Sequence, residues 1–404
     1  MQQDFLEHLL KSKESSDIVK VINIVNEPAL NKGENFMSVI RRYKVTVLLN
    51  SGETRNIHLI VKSFPEEKEH CIFLEEIAFF KNEIQAYSQV LSKMKALMEE
   101  FSDKRDTLWC EMFGFVPYNQ IILQDLKELQ FYPMDRRKNL DYEHSKYLIK
   151  SLARFHAMSA ILLKRNSVNV DDFEPYTFAK KKVVKLFFWS YLTTLAKAME
   201  TSWGNEWTDF VKPIKQITES VYDKLQELSS VNINRFNVIN HGDTWTNNFL
   251  FKHLDGTNVP CGLKFLDYQI THYNSFAWDL TYFFYTSILP EIRRAKYVDL
   301  ITFYHQELLE NLKYFKYPNE NIPTLTHIME EMNRIKFYGF LLLTSIYPWT
   351  TSETDDPYDV EKALTNEKNP ETAINIEIFT CSKYRKMVGN DLKEFIKNDF
   401  YINS

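Results

Sequence analysis

The stretch His241-Gly242-Asp243-Thr244-Trp245-Thr246-Asn247-Asn248, followed by Phe249-Leu250-Phe251 and later by Phe265-Leu266-Asp267-Tyr268-Gln269, decides how this chain folds. Val238-Ile239 reads as a brief buried strand running into His241, Asn248–Phe251 as a second strand and Cys261–Leu266 as a third. Between the last two lies His253-Leu254-Asp255-Gly256-Thr257-Asn258, and Asp-Gly is a strong hairpin-turn signal. An antiparallel hairpin brings the start of its first strand beside the end of its second. Asn248 and Asp267 therefore meet at one end, with Asp243 in the loop that feeds it. Two carboxylates and a carboxamide at one point suit a hard divalent cation and a proton acceptor.

That arrangement matches the needs of phosphoryl transfer, in which Mg²⁺ is held by oxygen ligands and a carboxylate deprotonates the attacking hydroxyl. The catalytic loop of protein kinases is His-x-Asp with an Asn five residues after the Asp, then a metal-binding Asp beyond a hairpin. Asp243 and Asn248 have that spacing, and Asp267 follows 19 residues after Asn248. A polar turn capped by Asp and Asn is the plainer reading, but it leaves the second carboxylate unexplained.

A chain of 404 residues accommodates two domains or lobes, each with its own core. It is 44% apolar and 25% charged with a net charge of −5, and no basic block points to nucleic acid. Cys71, Cys110, Cys261 and Cys381 are scattered, which speaks against a zinc site or disulfide scaffold and for a reducing compartment. The longest apolar run, Phe337–Trp349, is too short for a membrane span, and the charged N-terminus does not read as a signal peptide. The expectation is a cytoplasmic monomer with no membrane insertion.

Taken in order, residues 5–30 read as an amphipathic helix and a connection ending near Pro28. Gly33-Glu34-Asn35-Phe36-Met37-Ser38 then leads into strands around Val39–Leu49 and Ile57–Val61. A Gly-containing turn there can lay backbone N–H groups over phosphates or be an ordinary connection. The second strand alternates Ile57, Leu59 and Val61 on one face and ends at Lys62. A helical stripe follows, from Ile77 and Phe80 to Met98 and Phe101, with Glu83 on its margin. In kinases a strand Lys holds phosphates and is positioned by a helix Glu, so Lys62 and Glu83 are either that pair or two solvated charges. Ile121–Leu126 is a short strand ending in polar residues, after which the chain becomes mostly helical; the lobe boundary is drawn there, giving 1–124 and 125–404. His156, on a helix from Asp141, reads as a core or capping residue, and Asp279 as an acceptor for loop backbone donors.

His-Gly-Asp-x-Trp-x-Asn-Asn with a downstream Leu-Asp-Tyr-Gln resembles the ecdysteroid-kinase-like (CHK kinase-like) family, related to choline and aminoglycoside kinases. The resemblance extends to Ile60-Val61-Lys62, Phe80–Tyr87 with its Glu83, Leu123-Gln124-Asp125-Leu126, Leu152–Ala157, and Asp279-Leu280 with Tyr282-Phe283. It implies an α+β, protein-kinase-like fold with an ATP cleft between a β-rich N-lobe and a helical C-lobe. It further implies that Asp243 is the catalytic base, that Asn248 and Asp267 bind Mg²⁺, and that Lys62, oriented by Glu83, contacts the phosphates. Gln124 and Leu126 would belong to the adenine-binding segment, Gly33, Asn35 and Ser38 would lie over the phosphates, and His241 and Asp279 would brace the loop. Gln124 stands where the family has Glu, a small loss if adenine is held by backbone groups. The implied activity is ATP-dependent phosphorylation of a small hydroxylated molecule, an ecdysteroid or a xenobiotic, with detoxification proposed for some members. Three other readings compete. They are a pseudokinase or ligand-binding module of the same fold, a metal-dependent hydrolase using His241 and Asp243, and a protein kinase of the usual kind, whose Gly-rich loop and activation motifs are absent.

Overall fold

The structure is a computed structural model that describes residues 3–29, 38–65, 68–117, 119–173, 175–354 and 357–399. Gly33 and Asn35 lie outside the described residues. The N-terminal half is built on a five-stranded antiparallel sheet of strands β1 (Ile18–Pro28), β2 (Val39–Leu49), β3 (Thr54–Ser63), β4 (Met112–Val116) and β5 (Gln120–Gln124) in the order β1-β2-β3-β5-β4. The amphipathic helix expected within residues 5–30 runs from Gln3 to Lys13, and strand β1 takes the place of the connection expected after it. Ile18, Val19, Val21, Ile22, Ile24 and Val25 explain the difference, because β-branched side chains lose rotamer freedom in a helix and pack well on a pleated sheet. The helix Gln3–Lys13 instead lies on the outer face of the sheet, where Leu6 and Leu10 share a small core with Val45, Val47, Ile57, Leu59, Val61 and Phe113. Its Gln3 and Glu7 side chains bond the backbone carbonyl and N–H of Val21.

Period-two alternation along β3 decides what the sheet offers inward. Leu59 and Val61 face the outer core, so Ile60 and Lys62 face the other way, toward the cleft. The long helix expected from Ile77 to Phe101 starts at Phe79, after Ala78 in a left-handed conformation, and passes through a π-helical turn at Ala86–Leu91 before continuing to Glu100. Phe80, Tyr87, Leu91, Met94 and Met98 still bury one stripe.

After Gln124 the chain is mainly helical around one large core. The helix Tyr142–Lys164, N-capped by Asp141, runs through its centre and carries buried Phe155 and His156. On it lie two small sheets. One pairs β7 (Asn237–Asn240) with β10 (His272–Ser275); the other orders β6 (Tyr132–Pro133), β8 (Phe249–His253) and β9 (Pro260–Phe265). Strands β8 and β9 form the expected antiparallel hairpin, with Phe249 opposite Phe265. Among the described residues, no helix is long and apolar enough to cross a membrane.

Candidate active site

Strand β7 delivers His241 into a loop whose backbone is gathered by one buried carboxylate. Asp279, in the first turn of the helix Ala277–Thr286, accepts the N–H of His241 at Oδ2 and that of Gly242 at Oδ1, both at 2.7 Å. Its own carbonyl accepts the Thr244 hydroxyl at 2.7 Å. His156 Nε2 lies 3.0 Å from Oδ2, while its Nδ1 is 2.8 Å from the Tyr304 hydroxyl. Burial alone would raise the Asp279 pKa, but the His156 hydrogen bond and charge, with His241 and the loop N–H, hold it below the usual carboxylate value. His156 is therefore a brace for Asp279, in keeping with a core role.

Gly242 has φ +91°, and a Cβ built there would stand 2.1 Å from the Ile270 carbonyl oxygen. Only glycine fits that approach. His241 accepts the Asp243 N–H at Nδ1 (3.2 Å) and donates from Nε2 to the Leu266 carbonyl (2.9 Å). Those partners fix a neutral tautomer, and burial pushes its pKa down accordingly. One imidazole thus ties the catalytic loop to the end of β9.

The hairpin places Asn248 and Asp267 side by side, with Leu266 N–H donating to the Asn248 carbonyl at 2.9 Å. Asn248 Nδ2 donates to the Asp243 carbonyl at 3.0 Å, which leaves its Oδ1 as the free end of the amide. Asp267 adopts φ +65°, an uncommon conformation for a non-glycine residue, of the kind that clusters at functional sites. Asp243 is buried, and burial, then the nearby Asp267 charge, pushes its carboxyl up to about 7; hydrogen bonds from Tyr282 and Asn248 oppose the rise.

Lys62 meets this cluster from the sheet. Its Nζ stands 2.7 Å from Glu83 Oε2 and 2.7 Å from Asp267 Oδ1, so one ammonium joins β3, the Phe79–Gln85 helix and the end of the hairpin. Burial works against that charge, yet Asp267 and Glu83 hold its pKa above the ordinary lysine value. Glu83, only 1% exposed, is raised by burial against the opposing pull of Lys62. The next residue toward the N-terminus, Asn82, donates from Nδ2 to the carbonyls of Gln269 (3.0 Å) and Thr271 (2.7 Å).

These side chains open on a cavity of about 470 Å³ between the sheet and the helical lobe. Gln124, Asp125 and Leu126 line it where the two halves join, and Arg42 forms an ion pair with Asp125 there. Ser38 is buried just before β2; from that edge of the sheet Ala29, Ile40 and Arg42 line the cavity. Phe178, Phe187, Trp245, Ile346 and Trp349 line it from the helical lobe. Trp245 and Trp349 meet edge to face at 6.3 Å, and the Trp349 indole N–H donates to the Tyr191 hydroxyl. Asn82, Tyr282, Arg42, Phe178, Phe187 and Trp349 were not singled out by the sequence reading. Of these, Asn82 and Tyr282 stood inside recognised motifs, Phe80–Tyr87 and Asp279-Leu280 with Tyr282-Phe283, without a role of their own.

The donor set suits magnesium. Asp243, Asp267 and Asn248 offer oxygen ligands only, as a hard cation requires, and three buried or half-buried carboxylates, counting Glu83, face the single ammonium of Lys62. Among the described residues no three His, Cys, Asp or Glu side chains group as a metal site.

A β-rich lobe and a helical lobe with a Lys–Glu pair facing a His-x-Asp loop define a kinase-like protein of two lobes. The chain belongs to the ecdysteroid kinase-like family, whose profile matches residues 32–317, and is accordingly a small-molecule kinase by family. Two solved GDP complexes of aminoglycoside 2'-phosphotransferase-IIIa are distantly similar. A point mutant shows 11% identity and a TM-score of 0.42, with 100% of each chain covered. The wild type shows 9% and 0.40, with 98% of this chain and 99% of that one covered. No curated protein matches the sequence.

Proposed function

We propose that the protein transfers the γ-phosphoryl group of ATP to a hydroxyl of a small molecule in a Mg²⁺-dependent reaction. The observation that carries this reading is the meeting of Asp243, Asn248, Asp267 and Lys62 in one cleft, with Lys62 2.7 Å from both Glu83 and Asp267. Asp243 takes the acceptor's hydroxyl proton as the oxygen bonds to the γ-phosphorus and the bond to ADP breaks. Asn248 and Asp267 would hold Mg²⁺, which would supply positive charge to neutralise the phosphates. Lys62, kept in place by Glu83, stabilises the transferred group electrostatically. Gln124 and Leu126 hold the adenine and Ser38 stands toward the phosphates, with residues 1–124 and 125–404 as the two lobes. His241 and Asp279 keep the loop in register.

The acceptor lies against Phe178, Phe187, Trp245, Ile346 and Trp349. None of these is charged, which suits a hydroxylated apolar ring system such as an ecdysteroid or a xenobiotic alcohol and disfavours a polycation. The test is a mass-spectrometric screen of steroid, glycoside and amino-alcohol acceptors with ATP and Mg²⁺, with Asp243→Asn beside wild type. Phosphorylated product from wild type alone is expected. Product from both would remove Asp243 from its role, and nucleotide binding with no transfer to any acceptor would make the protein a binding module.

A further inference from the structure

The Glu83 helix is joined to the segment after Asp267 by a side chain that takes no direct part in the chemistry. Asn82 is 1% exposed, and both of its amide hydrogens go to backbone carbonyls, those of Gln269 at 3.0 Å and Thr271 at 2.7 Å. Because both partners are acceptors, the orientation of the amide is settled by its surroundings. Its Oδ1 is buried without a partner, a destabilising arrangement that an apolar side chain with the same branching would avoid. Packing alone therefore does not explain an asparagine here; the two donated bonds do.

Those bonds reach a segment wedged between lobes. Thr271 donates its hydroxyl to the His241 carbonyl at 3.3 Å, and Gly242 is pressed against the Ile270 carbonyl. Four residues beyond Glu83, Tyr87 packs edge to face on Tyr268 at 5.5 Å and bonds Cys110 Sγ through its hydroxyl at 3.0 Å. Asn82 and Tyr87 thus hold the helix on either side of Glu83.

We propose that Asn82 is a positioning residue that locks the Glu83 helix to the 267–271 segment, so that the Lys62 bridge between Glu83 and Asp267 is assembled before substrates bind. The lock leaves this helix no independent swing, and the enzyme needs no separate activation step. The proposal rests on the kinase reading for its kinetic consequence but not for its structural one.

The test uses the full chain with Asn82→Leu, which removes both donors and the orphan oxygen, and Asn82→Ser, which keeps one donor on a shorter arm. Hydrogen exchange is expected to quicken in residues 79–85 of Asn82→Leu relative to wild type. With ATP and an acceptor, kcat should fall by about 10- to 100-fold in the leucine variant and less in the serine variant, with the acceptor KM within about twofold. In a Glu83→Gln background the same Asn82→Leu change should cost about twofold or less, since both act through Lys62. Unchanged exchange in residues 79–85, or a kcat loss that is fully additive with Glu83→Gln, overturns the proposal. Should wild type transfer no phosphate at all, the kinase reading fails, and the exchange comparison still decides the lock.

Discussion

The two ends of the cleft are built on different principles. At the reaction end, polar groups are fixed by short hydrogen bonds: Asp279 on the loop N–H groups, His241 on Leu266, Lys62 on two carboxylates. At the other end, Trp245 from the loop beside Asp243 meets Trp349 of the helical lobe, and Phe178 meets Phe187 at 5.6 Å, so apolar side chains touch through ring contacts. Directional bonds enforce one geometry, which phosphoryl transfer demands. Apolar contacts tolerate changes of shape more readily than directional bonds do.

The largest expected effect breaks the reaction end alone. Asp243→Asn should lower kcat by about 10³-fold, the size of a lost general base, with nucleotide affinity kept in a binding titration. Lys62→Met comes next. It leaves Glu83 and Asp267 facing each other without their cation, and should cost about 3 kcal/mol of stability in denaturant unfolding together with about 100-fold in turnover. Gly242→Ala probes how tightly the loop is clamped. The positive φ alone costs about 1–3 kcal/mol and the Ile270 carbonyl blocks the Cβ, so a clear drop in Tm is expected.

Trp349→Ala addresses the other end. A loss of about tenfold in kcat/KM for a bulky ring acceptor, with kcat for a small alcohol unchanged, would show the ends to be separable. Equal losses for both acceptors would mean that Trp349 supports the catalytic loop through Trp245. The smallest effect is in pH. Asp243 must be ionised to accept a proton, and burial with the Asp267 charge raises its pKa to about 7. Activity should therefore rise with pH across a limb above the usual carboxylate range. Added Mg²⁺ should move that limb to lower pH, since a cation beside Asp267 cancels the charge that raises Asp243.

The same contrast separates what could be read in the sequence from what could not. Asp243, Asn248 and Asp267 were legible because a loop and a hairpin fix their relation locally, and strand alternation gave Lys62 its inward direction. Asn82 was not, because its partners are backbone carbonyls 187 and 189 residues away, and any residue type supplies a carbonyl. Phe187 gave no sign of lining a cavity, since an aromatic in a helical pattern reads as core, and Phe178 stood in a polar stretch that reads as loop. The strand β1 was hidden differently: its β-branched run follows an amphipathic helix with only a short turn between, and it reads as the connection after that helix. The π-helical turn at Ala86–Leu91 likewise leaves a stripe of threes and fours that hides its wider turn.

The pairing of Phe249 with Phe265 has a consequence for recognising distant kin. What holds Asn248 beside Asp267 is strand register, while Gly256 at the hairpin tip has open space around it. Residues added evenly to the two strands, or inserted in the tip, lengthen the interval between Asn248 and Asp267 without parting them. A single residue inserted in one strand alone turns the side chains beyond it to the opposite face. A motif search across this fold should let that interval vary freely and hold fixed only the five-residue step from Asp243 to Asn248.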